Sequence, residues 1–160
     1  MRHTITILVE NEFGVLTRIA GLFSARGYNI ETLNVAPTLD ETVSRLTLVT
    51  HGDDKIIEQI KKQLNKLIPV IKVEDISHMV HLERGMLMLK VIDVGELLKA
   101  AEVAGAKIID HESGNYFIAE FTGSPEEVDA FLASVDAEYI IEASRTGPVG
   151  MRRGSKGFVV

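Results

Sequence analysis

An α+β chain made of two β-α-β-β-α-β units with antiparallel sheets is the fold this sequence predicts, and three observations predict it. The apolar residues switch repeatedly between a period of two and a period near 3.6; the switches fall at glycine, proline or capping residues; and the order of switches in the first half returns in the second. Size agrees, since 160 residues with 46% hydrophobic and 25% charged supply enough apolar material for two small domains.

In the first half, His3 to Glu10 alternates Ile5, Ile7 and Val9 against Thr4, Thr6 and Glu10, the pattern of a strand with one buried face. From Gly14 to Arg26 the residues Val15, Leu16, Ile19, Leu22 and Phe23 recur at helical spacing, and Gly27 suits the position just past a helix end. Ile30–Ala36 and Val43–Thr50 read as strands joined by the hairpin loop Pro37-Thr38-Leu39-Asp40-Glu41. Asp53 or Asp54 caps a second helix with the stripe Ile56, Ile57, Ile60, Leu64 and Leu67, and Pro69 stops it before a strand over Val70–Ile76.

The second half follows the link Ser77-His78-Met79-Val80-His81. Met86–Val91 reads as a strand, Leu97–Ala104 as a helix closed by Gly105, and Lys107–His111 with Tyr116–Thr122 as a strand pair around Glu112-Ser113-Gly114-Asn115. Ser124-Pro125-Glu126-Glu127 combines an N-cap serine, proline at the first helical position and a glutamate placed to close a capping box. Val128, Phe131, Leu132 and Val135 form the buried stripe behind it, and Tyr139–Ser144 is the closing strand. Each unit is thus of the ferredoxin-like kind, with two helices on one face of a four-stranded sheet and the other face and an edge left to a partner.

Composition excludes several function classes. Zero cysteines remove disulfides, thiolate nucleophiles and cysteine metal sites. A net charge of −6 opposes general attraction to nucleic acid. With no apolar run near the ~20 residues of a membrane span and no basic-then-apolar leader, the expected place is the cytoplasm, away from membranes.

The turn Glu10-Asn11-Glu12-Phe13-Gly14-Val15-Leu16 is the chief candidate site. The first turn of a helix presents unpartnered N–H groups and a partial positive charge, and glycine leaves the approach open, so the turn is either a plain strand-to-helix cap or an anion receptor. His78 and His81, three apart without a carboxylate in ligand spacing, give only a weak metal signal and read as a solvated linker, so no metal site is expected. No nucleophile elbow or phosphate loop is present, and the carboxylates Glu126 and Glu127 sit where a helix start favours them, so no catalytic residues are expected. From Arg145 onward, Arg152, Arg153 and Lys156 occur with no acidic residue and with Gly147, Gly150, Gly154 and Gly157, which describes either a frayed end or a cationic docking arm; a nucleic-acid contact comes third, since four cations with one aromatic, Phe158, are few for a binding stripe.

Glu10 to Arg18, Gly21-Leu22-Phe23-Ser24, Arg26-Gly27-Tyr28-Asn29-Ile30-Glu31, Val35-Ala36-Pro37-Thr38, Ser44-Arg45-Leu46-Thr47, Gln59 to Leu67 and Glu83-Arg84 resemble the ACT-domain regulatory small subunits of acetohydroxyacid synthase, also called acetolactate synthase. The likeness returns at Ala130-Phe131-Leu132 and Arg145-Thr146-Gly147 and is densest before Val91. It implies an ACT domain over 1–77 that binds an amino-acid effector, and a second ferredoxin-like domain over 82–160 that includes the basic, glycine-rich tail. It also implies a non-catalytic protein that activates a thiamine-diphosphate-dependent catalytic subunit and confers feedback inhibition by branched-chain amino acids, valine foremost. Thiamine diphosphate, FAD and Mg would belong to that catalytic subunit, with no cofactor in this chain. The resemblance further implies a homodimer through the ACT domains, with Asn11, Gly14, Val15 and Leu16 of one protomer facing Asn29 and Ile30 of the other across the effector. A stand-alone ACT sensor or transcription regulator would share the first half but should add a helix-turn-helix or a basic recognition face. A small phosphate-processing enzyme on the same fold, or a metal-responsive module on the second half, are further readings.

Overall fold

A computed structural model describes residues 1–160, which form two compact units: Met1–Leu82 together with Val149–Val160, and Glu83–Pro148. No helix is long and apolar enough to cross a membrane.

The first unit is built around β1 (Arg2–Glu10), followed by α1 (Val15–Ser24), β2 (Ile30–Pro37), β3 (Val43–His51), α2 (Asp54–Leu64) and β4 (Val70–Asp75). Its antiparallel sheet has the order β2-β3-β1-β4, with β1 paired to β3 from Arg2↔His51 to Glu10↔Val43. Val15, Ile19 and Phe23, spaced four apart on α1, meet Ile57, Ile60 and Leu64 of α2 over Ile5, Ile7, Leu46 and Leu48 of the sheet, forming one core. Each such side chain, removed from water, contributes about 1.5–3 kcal/mol before conformational entropy is counted.

The ends of the helices follow local chemistry. α1 closes where Gly27, at φ 70°, lets the Tyr28 N–H reach back to Phe23 O at 3.0 Å. At the start of α2, Asp53 accepts from the Lys55 N–H at 2.7 Å, which settles the choice between Asp53 and Asp54 as cap. That helix ends at Leu64 and not at Pro69; a short turn follows, and Leu67 packs against the core from it.

The second unit holds most of β5 (His81–Ile92), then α3 (Leu97–Val103), β6 (Lys107–Glu112), β7 (Tyr116–Gly123), α4 (Pro125–Ala133), a 3-10 turn (Ala137–Tyr139) and β8 (Ile140–Arg145), with antiparallel order β6-β7-β5-β8. β5 starts earlier than Met86, inside the segment read as a link. The capping box forms as expected: Ser124 Oγ accepts from the Glu127 N–H at 3.2 Å, and Glu127 Oε2 accepts from the Ser124 N–H at 2.7 Å. Leu87, Leu89, Val91, Phe117, Val128 and Phe131 make its core, with the Phe121 and Phe131 rings stacked at 4.6 Å.

Two expectations are corrected by the last twelve residues. The tail was grouped with the second half, but β9 (Val149–Arg152) and the segment behind it pack in the first unit. It is neither frayed nor a loose cationic arm: Arg152 pairs with Glu74 at 2.9 Å, and Phe158 is buried with Leu8 and Val43. In consequence β1 is buried on both faces. Thr4 and Thr6, read as the outward side, and Leu8 on the same face are 0–2% exposed because the returning segment lies over them. Gly150 is tight there, since a Cβ on it would come 2.7 Å from Ile76 Cδ1. Its N–H donates to Thr47 Oγ1 at 3.3 Å and its carbonyl accepts from Arg45 Nη2 at 2.7 Å.

Phe158 also lies beneath two cations, Arg45 at 5.3 Å and Lys72 at 5.2 Å from the ring centre. Phe158→Ala is therefore expected to destabilise the first unit by about 3 kcal/mol in urea unfolding of the full chain, the cost of emptying a buried aromatic site. A change below about 0.5 kcal/mol, the range of unremarkable surface substitutions, would contradict this packing.

Candidate functional site

The glycine turn joins the end of β1 to the start of α1. Gly14 holds φ 81°, a conformation L side chains rarely adopt, and makes no side-chain cap; the first turn of α1 carries no acidic residue. α2 and α4 are capped by the side chains of Asp53 and Ser124, whereas α3, like α1, starts without a side-chain cap. A Cβ placed on Gly14 would meet nothing within 4 Å, so the approach to the N–H groups of Val15, Leu16 and Thr17 is open.

Asn11 is fixed by the hairpin loop. Its N–H donates to Thr42 O at 2.8 Å and its Nδ2 donates to Glu41 O at 3.0 Å, which leaves Oδ1 as the outward acceptor. Beside it lies a cavity of about 240 Å³ bordered by Val9, Asn11, Val15, Leu16, Val35 and Pro37. That is below the ~300–1,000 Å³ of sites for drug-sized ligands and suits a single small metabolite. Three of the six residues singled out in the sequence, Asn11, Val15 and Leu16, therefore line one cavity; Gly14 precedes Val15 in the chain and is not itself part of the lining.

Asn29 and Ile30 do not join them within the chain. Ile30 opens β2 and the cavity touches β2 at Val35, five residues or roughly 17 Å further along the strand. The Asn29 carbonyl accepts from Thr50 Oγ1 at 2.6 Å, which anchors the loop while the residue remains exposed. Sequence reasoning did not single out Val35 and Pro37 as cavity walls; the alternation of β2, with Leu33 and Val35 exposed at a sheet edge, is the signal that could have found them.

A larger apolar cleft of about 820 Å³ runs along the same unit past Leu8, Leu39, Val43, Met151 and Phe158. Its charges are engaged already. Arg45 serves Gly150 O, and Asp40 accepts from the Thr42 hydroxyl at 2.6 Å and amide at 2.9 Å, bonds that hold its carboxyl below the usual range. The smaller cavity is the one next to an uncapped helix start.

The histidines fall otherwise than their spacing suggested. His81 Nδ1 lies 2.7 Å from Met79 O, whereas His78 is set beside His3 and Asp54, residues remote in sequence. No feature of the sequence linked those three.

Two family models match the chain: one described as an AHAS small subunit-like ACT domain over residues 5–72, the other as the small subunit of acetolactate synthase over residues 84–154. The chain is 44% identical to the acetolactate synthase isozyme 3 small subunit of Escherichia coli (strain K12), over 98% of each sequence. It is 45% identical to a probable acetolactate synthase small subunit of Archaeoglobus fulgidus, over 98% of this chain and 99% of that one. Among solved structures, an acetolactate synthase small subunit from Thermotoga maritima superposes with a TM-score of 0.89 at 37% identity, covering 98% of this chain and 99% of the other.

Proposed function

Since the chain belongs to the acetolactate synthase small-subunit family and is a regulatory, non-catalytic subunit, we propose that it activates the catalytic subunit and makes it answer to a branched-chain amino acid, valine foremost. One observation supports the effector site above all others: a helix start left open by Gly14 beside a small cavity walled by Val15, Leu16 and Val35. The effector's carboxylate takes the N–H groups of the first turn of α1, its ammonium meets Asn11 Oδ1, and its branched side chain enters the apolar wall. Thiamine diphosphate, FAD and Mg remain with the catalytic subunit.

The site is completed by a second copy of the chain. β2 is an edge strand of its sheet with Leu33 and Val35 exposed, suited to pairing with another strand. Two β2 edges running antiparallel about a two-fold axis near Leu33 and Asn34 would set the partner's Ile30 opposite Pro37, and the partner's Asn29 next to the cavity. The 17 Å gap within one chain is thereby closed across the dimer. The elements of the chain are taken up by the two units, and no helix-turn-helix is among them, which weighs against a transcription regulator.

Calorimetric titration with valine, leucine and isoleucine, joined to activity of the catalytic subunit reconstituted with this chain, tests the reading. Gly14→Asp is expected to weaken valine binding about 10–100-fold, the loss of charge-assisted bonds worth about 1.5–3 kcal/mol, and to abolish valine inhibition while activation persists. Gly14→Ala, strained by about 1–2 kcal/mol but uncharged, separates backbone strain from repulsion and should bind valine within a few-fold of the parent. Full valine inhibition with Gly14→Asp would overturn this site.

A further inference from the structure

His3, on β1, is 1% exposed, and its Nδ1 stands 2.8 Å from Oδ2 of the buried Asp75. Asp75 is held in turn by Ser77, whose hydroxyl and amide donate to Oδ1 at 2.6 and 3.0 Å. An imidazole that donates its Nδ1–H to a fixed carboxylate turns a bare Nε2 lone pair the other way. That Nε2 is buried and has no hydrogen-bond partner, yet it lies 3.1 Å from Asp54 Oδ1. Two lone pairs facing at this separation repel unless a cation lies beside both. The third member, His78, presents its ring edge-on to His3 with centres 6.0 Å apart, and one donor atom from each of His3, Asp54 and His78 lies within 4.8 Å of the others.

We propose that His3 Nε2, Asp54 and His78 bind a divalent transition-metal ion of the zinc class, with Asp75 orienting His3 from behind. The donor set of two imidazoles and one carboxylate is one that such ions take. The spacing agrees: ligand atoms about 2.0–2.1 Å from one ion stand roughly 3.3 Å apart in a tetrahedral shell and roughly 2.9 Å apart in an octahedral one, which brackets the 3.1 Å between His3 and Asp54. The buried His3–Asp75 bond is the carboxylate–histidine support that metal-bound imidazoles use to fix tautomer and ring angle. Asp54 and His78 are exposed, on the first residue of α2 and on the turn after β4, so they are free to close on an ion held by rigid His3. The positive end of α2 opposes a cation, and Asp53, Asp54 and Asp75 offset it.

The ion would tie together β1, the start of α2 and the exit of β4. This site is seven residues, roughly 23 Å, along β1 from Glu10 and the glycine turn, and it rests on none of the effector argument.

The test is titration of the untagged, metal-stripped full chain with Zn²⁺ by calorimetry and with Co²⁺ by visible absorption. One ion per chain should bind, with cobalt bands of nitrogen and oxygen ligation and a rise in melting temperature. His78→Ala and Asp54→Asn, both at exposed positions, should retain the parent circular dichroism but bind at least 10-fold more weakly and lose the thermal rise. His81→Ala should bind as the parent does. Absence of saturable binding below millimolar metal, or undiminished binding by His78→Ala, would overturn the proposal.

Discussion

Burial of β1 on both faces is the constraint on which the rest of the first unit depends. A strand covered on one side only tolerates polar residues on the other; here Ile5, Ile7 and Val9 lie under the helices while Thr4, Thr6 and Leu8 lie under the returning C-terminal segment. Sliding such a strand by one residue would send Ile5 and Ile7 to the wrong layer, so its register is fixed strongly. Both ends inherit that rigidity. At one end the chain turns through Asn11 and Gly14 into α1, and at the other His3 is held against Asp75.

That rigidity suits an effector site, because a helix start recognises a carboxylate only if its N–H groups keep their aim. The proposed coupling asks little in energy. Allosteric systems typically operate on ~1–3 kcal/mol between states, and a few charge-assisted hydrogen bonds with one buried branched side chain lie in that range. In the proposed reading the shared site would turn binding into regulation: an effector held by two protomers would favour one packing of the pair, and a catalytic subunit in contact with the pair would sense it.

Much of the fold was legible in the sequence because its determinants are local. The strand β1, the four-residue spacing of Val15, Ile19 and Phe23, the Asp53 cap and the Ser124–Glu127 box are each set within a few residues, and each formed where it was read. The failures are long-range. Thr4 and Thr6 look outward in a period-two pattern, and only a segment some 145 residues later, with Gly150 small enough to lie on them, buries them. The cavity beside the glycine turn was legible in part for the same reason: Asn11, Val15 and Leu16 are neighbours in sequence, while Val35 and Pro37 reach them through the sheet. His3, Asp54 and His78 share no spacing at all, and it took β1, α2 and the turn after β4 to bring them together.

An effector site split between two protomers is tested most directly by complementation. Gly14→Asp protomers and Asn29→Ala protomers, each binding valine weakly alone, are unfolded, mixed in equal amounts and refolded together, and valine binding is measured by calorimetry. If the halves come from different chains, each mixed dimer carries one intact site and one doubly altered site, so random pairing restores roughly a quarter of the parent's site number at parent affinity. No recovery on mixing would contradict a shared site and return both halves to a single chain.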